Sequence, residues 1–174
     1  MKLIGAGLYQ HLLERALSLA GGGADPDKQL ADINRAGKGS LPETYVNEPT
    51  VRVGLYSRLS RMRSEPDLDA FSDELEDRFG NLPGEVAALL ELTRLRIAAG
   101  GLGVGKVDVG PQAIAFTFRR KSAACQWRSR KEKGFEVRNG RLIFRLSIRP
   151  GVSEVNAVRL ALSAMRAAQS SDVI

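Results

Sequence analysis

The 174-residue chain contains only one cysteine and one histidine, Cys125 and His11. A lone cysteine excludes a disulfide within the chain, and these two residues are too few for a zinc site, a catalytic triad or a cysteine nucleophile with its base. No apolar run approaches the roughly 18 residues that a membrane span needs, and no secretory leader pattern opens the sequence. We therefore expect a soluble, cytoplasmic protein without catalysis, metal or cofactor.

The charge of the chain is unevenly distributed along its length. The hydrophobic fraction of 43% and the charged fraction of 26% are those of an ordinary globular domain, and the net charge is +6. Residues 64–91 contain nine acids and one base, whereas residues 92–150 contain fourteen bases and three acids. Such a division affects association with partners more than it affects the fold.

The acidic stretch contains the clearest helix signal of the sequence. A helix is predicted from Pro66 up to the stop formed by Gly80 and Pro83, with Ser64 and Glu65 as possible caps. Four apolar residues recur at helical spacing and predict one narrow buried stripe. They are Leu68, Phe71, Leu75 and Phe79.

The exposed side of this helix is acidic even in its last turn, where Glu74, Glu76 and Asp77 lie. Carboxylates oppose the negative end of a helix dipole, each by about 0.3–1 kcal/mol, so folding alone would not select them. Glu74 and Asp77 lie three residues apart on one flank near Arg78, and together they could bind a basic partner. The alternative interpretation is a merely solvated acidic face.

The other segments predict an α+β fold, with a helical N-terminal portion followed by a small, mainly antiparallel sheet and a closing C-terminal helix. A leading helix over 1–20 and a flexible connector over 21–40 precede a single domain over 41–174. Within the domain we predict the following elements: an extended segment 41–46; helices 49–62, 83–99 and 152–168; strands 107–109, 113–119, 135–138 and 141–148; and a short helix in 121–133. The helix over 49–62 is predicted to bury Val53, Leu55, Tyr56, Leu59 and Met62. Turns are predicted at Gly110-Pro111 and Asn139-Gly140.

Two glycine-rich motifs resemble nucleotide-binding loops only superficially. The run G-G-L-G-V-G-K ends at Lys106 but has Val107 where a phosphate loop has Ser or Thr, and it leads from a helix into a strand. The run G-A-G-L-Y-Q near the N-terminus has Gln10 in place of the third glycine of a dinucleotide-binding loop. We interpret the first run as a helix stop.

A basic segment after the second strand suggests another function. It contains Trp127 among basic side chains that could contact the phosphates of a nucleic acid while the indole stacks on a base. The alternative is a solvated basic edge with Trp127 packed inward. The basic residues are Arg119, Arg120, Lys121, Arg128, Arg130, Lys131 and Lys133.

Several motifs together resemble, in order and spacing, the C-terminal (TRCF) domain of bacterial transcription-repair coupling factors. They are G-L-Y-Q-H-L-L-E at 7–14, L-P-E-T-Y-V at 41–46, R-V-G-L-Y-S-R-L at 52–59 and D-E-L-E-D-R-F-G-N-L-P at 73–83. The resemblance covers about 4–118. It departs at Ile33-Asn34, where relatives are more apolar, so no regular strand is expected there.

The resemblance implies a regulatory role. The family consists of ATP-driven DNA translocases that remove stalled RNA polymerase and recruit UvrA, and their motor domains are absent from this chain. Their last domain covers a UvrB-like module of the same polypeptide and restrains the motor. Carried onto this sequence, the contact residues are Glu74, Asp77 and, as a neighbour, Arg78. We expect both carboxylates to be free at the surface.

Overall fold

In a computed structural model of the chain, residues 30–34, 39–120, 123, 127, 134–145 and 153–170 are described. The predicted leading helix over 1–20 lies outside the described residues. The helices are α1 (Pro49–Arg61), α2 (Glu65–Phe79), α3 (Gly84–Gly101) and α4 (Glu154–Ser170). The strands are β1 (Asp32–Asn34), β2 (Val104–Val109), β3 (Ala113–Phe118), β4 (Phe135–Arg138) and β5 (Arg141–Arg145). The predicted α+β class, with helices before a small sheet and a closing helix, is confirmed.

Helix α1 begins at Pro49, because a proline at the first helical position gives up only an N–H that would be unpaired anyway. Leu55 and Leu59 are buried as predicted, and so is Met62 just beyond the helix. Val53 was predicted to face inward, but it is 39% exposed. The prediction is wrong because Val53 lies about 160° around the helix from Leu55, so the assumed apolar stripe was too wide.

Helix α2 has the boundaries that its capping residues predict. The Ser64 hydroxyl accepts a hydrogen bond from the Asp67 N–H at 3.3 Å, which caps the first turn. Gly80 ends the helix with φ of +86°, a conformation that glycine adopts without strain, and its N–H donates to the Glu76 carbonyl. Leu68, Phe71 and Leu75 are buried as predicted, whereas Phe79, the fourth residue of the predicted stripe, is only partly buried.

The segment before α1 differs from the prediction. Residues 41–46 were expected to be extended, but the N–H groups of Tyr45 and Val46 both donate to the Pro42 carbonyl at 3.0 Å and form a tight turn. The proline ring disfavours helical geometry only at Leu41, the residue before it, and leaves the following residues free to turn.

Helix α3 is the central helix of the fold and leads into the sheet. It ends at Gly101, and Gly103 takes a φ of +74° before β2 begins at Val104. The interpretation of this glycine-rich run as a helix stop is confirmed. Lys106, the lysine of the apparent phosphate loop, lies on β2 and forms an ion pair with Asp108 at 2.8 Å.

The five strands of the described ranges form one sheet in the order β1-β2-β3-β5-β4, and among these strands only the β1–β2 pair is parallel. Asn139 and Gly140 connect β4 to β5 with φ values of +50° and +73°, as expected for a type I′ hairpin turn. Strand β1 corrects the prediction of a flexible connector over 21–40 at residues 32–34, whereas residues 21–29 and 35–38 lie outside the described residues. Its three residues are too few to show a period, and Ile33 is held opposite Val107 by tertiary pairing alone.

The described core consists of two hydrophobic clusters that meet at α3. The sheet core lies between the sheet and α4 and includes Phe116, Leu142 and Met165, all fully buried. The helical core lies between α1, α2 and α3 and includes Leu59, Phe71 and Leu90. Helix α3 contributes Leu95 and Ala99 to the first cluster, and Val86, Leu89, Leu90 and Ile97 to the second.

Replacing Phe71 by alanine should lower the free energy of unfolding by about 3–5 kcal/mol, because the ring is buried in the helical core and leaves a cavity. Urea unfolding followed by circular dichroism measures this loss. The control is Leu160→Ala on α4, whose side chain is 60% exposed and whose loss should change stability by less than about 0.5 kcal/mol. Equal effects of the two substitutions would contradict the assigned core.

Candidate interaction surface

The predicted contact residues Glu74, Asp77 and Arg78 all lie in the second half of α2, next to its stop at Gly80. Because α2 buries only a narrow stripe, its opposite side is presented to solvent. Asp73, Asp77 and Arg78 are all exposed there, and Glu74 is partly covered. The acidic helix therefore offers a charged surface, as predicted.

Glu74 departs from the expectation of a free carboxylate. Arg58 of α1 donates from both Nη atoms to the two carboxylate oxygens, at 2.7 and 2.6 Å, in a fork geometry. Arg78 donates to Oε1 of the same carboxylate at 2.8 Å. Glu74 therefore links α1 to α2, and its carboxylate binds two guanidinium groups of the same chain.

The electrostatics of this cluster follow from these contacts. Hydrogen bonds from Arg58 and from Arg78 lower the pKa of Glu74 from 4.5 to about 2, although partial burial acts in the opposite direction. The hydrogen bond to Glu74 also raises the pKa of Arg58. Each guanidinium lies over an aromatic ring at 5.0 Å, Arg58 over Phe71 and Arg78 over Phe79. The cluster is thus ionised and held in place at neutral pH.

Asp77 differs from Glu74 in its contacts within the described residues. Its side chain is exposed, and no ion pair or side-chain hydrogen bond joins it to another residue in the part of the chain that the structure describes. Its position in the last turn opposes the helix dipole without local compensation. The two predicted acids therefore have different roles: Glu74 is engaged within the domain, and Asp77 is available to another molecule.

Arg58 is the residue of this surface that sequence reasoning missed. The helical pattern placed it on the outer side of α1, but nothing in the pattern indicated which acid it meets. The contact joins residues sixteen positions apart on different helices, and it depends on the crossing of α1 and α2. Only the tertiary structure contains that information.

The predicted nucleic-acid segment is described only in part. Trp127 is 4% exposed and packs against Phe135 with ring centroids 5.4 Å apart, so its indole is not available to stack on a base. Arg119 and Arg120 follow β3. Lys121, Arg128, Arg130, Lys131 and Lys133 lie outside the described residues, and phosphate contact by this segment remains a prediction.

A cavity of about 290 Å³ lies where α2, α3 and α4 meet. Leu95, Ala98, Leu102 and Leu162 supply its apolar lining. The charged groups around it form ion pairs that connect the helices, namely Arg159 with Glu91 at 2.6 Å, Arg94 with Asp69 at 2.7 Å and Arg166 with Glu65 at 3.5 Å. The charged side chains around this cavity are therefore engaged in ion pairs between α2, α3 and α4.

In the described ranges, no group of three or more histidine, cysteine, aspartate or glutamate side chains is placed to hold a metal ion. The same ranges contain no helix long and apolar enough to cross a bilayer.

Comparison with known proteins decides the family. The model of the TRCF domain matches residues 37–126, just over half of the chain, and the match includes α1, α2 and α3. The chain belongs to the TRCF domain family. The resemblance noted from its motifs is confirmed.

Curated relatives of this TRCF-domain chain are named transcription-repair-coupling factors. The protein of Haemophilus influenzae is 34% identical over 124 residues, and that of Escherichia coli is 30% identical over 127 residues. These matches cover 68% and 70% of this chain. The chain spans only about a tenth of the length of these relatives, since each match covers 11% of the relative.

A solved structure shares the fold of this TRCF domain. It is a crystal structure of the C-terminal domain of a transcription-repair coupling factor, with a TM-score of 0.63 and 18% sequence identity. The match covers 83% of this chain and 97% of that one. The α+β architecture described above is therefore that of a C-terminal TRCF domain.

Replacing Glu74 by glutamine should lower the free energy of unfolding by about 0.5–1 kcal/mol at pH 7, the range of a partly solvated ion-pair network. The folded-state pKa is depressed from 4.5 to about 2, so this stabilisation is complete above pH 4.5 and is lost as the pH falls toward 2. Urea unfolding of the variant and the unaltered chain at several pH values between 7 and 3 measures it.

Asp77→Asn is the matched control, since it removes an acid from the same helix where the described residues show no ion pair. It should leave the free energy of unfolding unchanged or raise it slightly, because the dipole is no longer opposed. If Glu74→Gln and Asp77→Asn have the same effect at pH 7, the Arg58–Glu74–Arg78 cluster does not stabilise the fold.

Proposed function

We propose that this TRCF domain is a non-catalytic regulatory domain of a transcription-repair coupling factor. It docks on the UvrB-like, UvrA-recruiting module of the same polypeptide and restrains the DNA translocase until stalled RNA polymerase is engaged. UvrA, RNA polymerase and DNA are then partners of the whole cytoplasmic protein and are affected only indirectly by this domain. Membership of the family and the shared fold support the proposal.

The observation that carries the proposal is the uncompensated Asp77 at the C-terminal end of α2. Asp73 and Glu76 are exposed beside it, so this end of the helix is anionic. A carboxylate that opposes its own helix dipole lowers stability in the isolated domain, and a cation from another module would offset that loss. Asp77 is therefore the residue that we assign to direct contact with a basic partner.

Glu74 and Arg78 support this contact in a different way from the one expected. The Glu74 carboxylate is already shared by Arg58 and Arg78, so a partner cation would have to compete with two guanidinium groups that hold it at 2.6–2.8 Å. We infer that Glu74 orders the surface and that Asp77 makes the contact. Arg78 follows Asp77 in the sequence, pairs with Glu74 and is half exposed.

A weak contact is sufficient for such a role. In the longer polypeptide the domain and the module are tethered, which gives an effective concentration in the millimolar range for a short flexible connection. An interface with millimolar affinity would then be about half occupied. It could be displaced when the protein engages polymerase.

The first test measures binding of the isolated UvrB-like module to this chain by calorimetry at low salt. Asp77→Asn should weaken binding about tenfold or more, because a charge-assisted contact is lost. Raising the salt concentration should weaken binding by the unaltered chain, since exposed charges are screened over about 10 Å at 0.1 M. In the full-length protein the same substitution should increase UvrA binding.

The control is Glu136→Gln on β4, which removes one negative charge from an exposed residue that lies on another element and pairs with Arg145 at 2.9 Å. It should leave affinity unchanged. Equal affinity of the unaltered chain and Asp77→Asn would remove α2 from the interface, and a similar loss in Glu136→Gln would indicate a mere effect of net charge.

A further inference from the structure

The outer face of α1 carries an exposed glycine and two exposed arginines. Gly54, Arg58 and Arg61 follow one another at i, i+4 and i+7, so they lie along one side of the helix. All three are exposed. This side adjoins the end of α2, because Arg58 reaches across to Glu74.

Gly54 is unusual for its position. It lies in the interior of a 13-residue helix, and a Cβ atom added there would have no atom within 4 Å. A glycine in a helix interior is less stable than alanine by about 0.5–1 kcal/mol, and packing inside the domain does not require it here. Glycine is used where another backbone or a ligand approaches closely.

Arg58, one turn after this glycine on α1, and Arg78 on α2 are held in fixed positions by one carboxylate. Both donate to the same oxygen of Glu74, and both lie over aromatic rings, yet their side chains are 50% and 48% exposed. Each guanidinium keeps N–H groups that Glu74 does not use, since arginine has five. Both side chains are already ordered in the free domain, so an incoming anion would lose little binding energy to side-chain ordering.

The surface therefore has two strips of opposite charge. The strip on α1 carries Arg58 and Arg61. It is positive, because the single carboxylate of Glu74 is shared between Arg58 and Arg78. The strip on α2 carries Asp73 and Asp77, which are exposed. A partner that matches both strips needs an acid and a base at a fixed separation, which gives specificity as well as attraction.

We propose that the docking surface extends from the acidic end of α2 across the outer face of α1. The partner places a carboxylate against Arg58 and Arg61, a basic side chain against Asp77, and a backbone segment close to Gly54. The inference rests on the proposed function, because it takes the occupant to be the UvrB-like module. It adds that the module contributes acidic side chains to the contact as well as basic ones.

Gly54→Gln tests the close approach, because it adds bulk without charge at an exposed helix position. Binding to the isolated module should weaken at least tenfold. Gly84→Gln is the matched control: Gly84 begins α3, is exposed, and would have no atom within 4 Å of an added Cβ, so its replacement should leave affinity unchanged. Gly54→Ala should raise the Tm of this chain by about 2 °C, which would show that the glycine is not needed for folding.

Arg61→Gln tests the cationic strip separately, since it leaves the Glu74 cluster intact. It should weaken binding several-fold. If Gly54→Gln and Arg61→Gln bind as tightly as the unaltered chain while Asp77→Asn does not, the α1 inference is overturned and the proposed function stands. If only the α1 variants lose affinity, the α1 surface stands and the assigned role of Asp77 is overturned.

Photo-crosslinking identifies the occupant independently of affinity. A photoreactive amino acid at position 61 of the full-length protein should crosslink to the UvrB-like module. A crosslink to another segment of the same polypeptide would keep the α1 surface and overturn the module as its partner. A crosslink between two copies, or none at all, would overturn the inference.

Discussion

The burial of α3 on two opposite sides is the constraint on which the rest of this domain depends. Leu95 and Ala99 pack under the sheet, while Val86 and Leu90 pack against α1 and α2. Because one helix serves both clusters, the sheet and the helical layer form a single domain. Burial of so much apolar surface stabilises the fold, and the charged outer sides of α1 and α2 are then left for association with other molecules.

The Arg58–Glu74–Arg78 cluster gives the charged surface a definite form. Helices α1 and α2 meet through buried leucines and Phe71, and this contact places Arg58 opposite Glu74. The bidentate pair neutralises the acid that would otherwise be the most obvious docking residue. As a consequence, Asp77 becomes the available acid and Arg58 becomes part of the same surface. The interaction surface is thus mixed in charge, although the helix that supplies half of it is acidic.

Much of the fold was predictable because its signals are local. Capping by Ser64, the stop at Gly80, and the Asn139-Gly140 turn each depend on a few neighbouring residues, and the structure confirms all three. The features that were predicted wrongly have no clear signal in the neighbouring residues. Strand β1 exists through pairing with a distant strand, and the turn after Pro42 carries no repeating pattern. Val53 shows that a helical period alone does not determine how wide the buried side is.

The sequence by itself determined the family, the order of helices and strands, and the acidic character of α2, because motifs, periodicity and charge are all properties of neighbouring residues. Tertiary structure alone decided which of the two acids is engaged within the domain. Glu74 and Asp77 differ by three positions in one helix and are chemically almost equivalent, but only Glu74 faces α1 and its arginine. That difference arises from the crossing of two helices, and the pattern along one helix does not contain it.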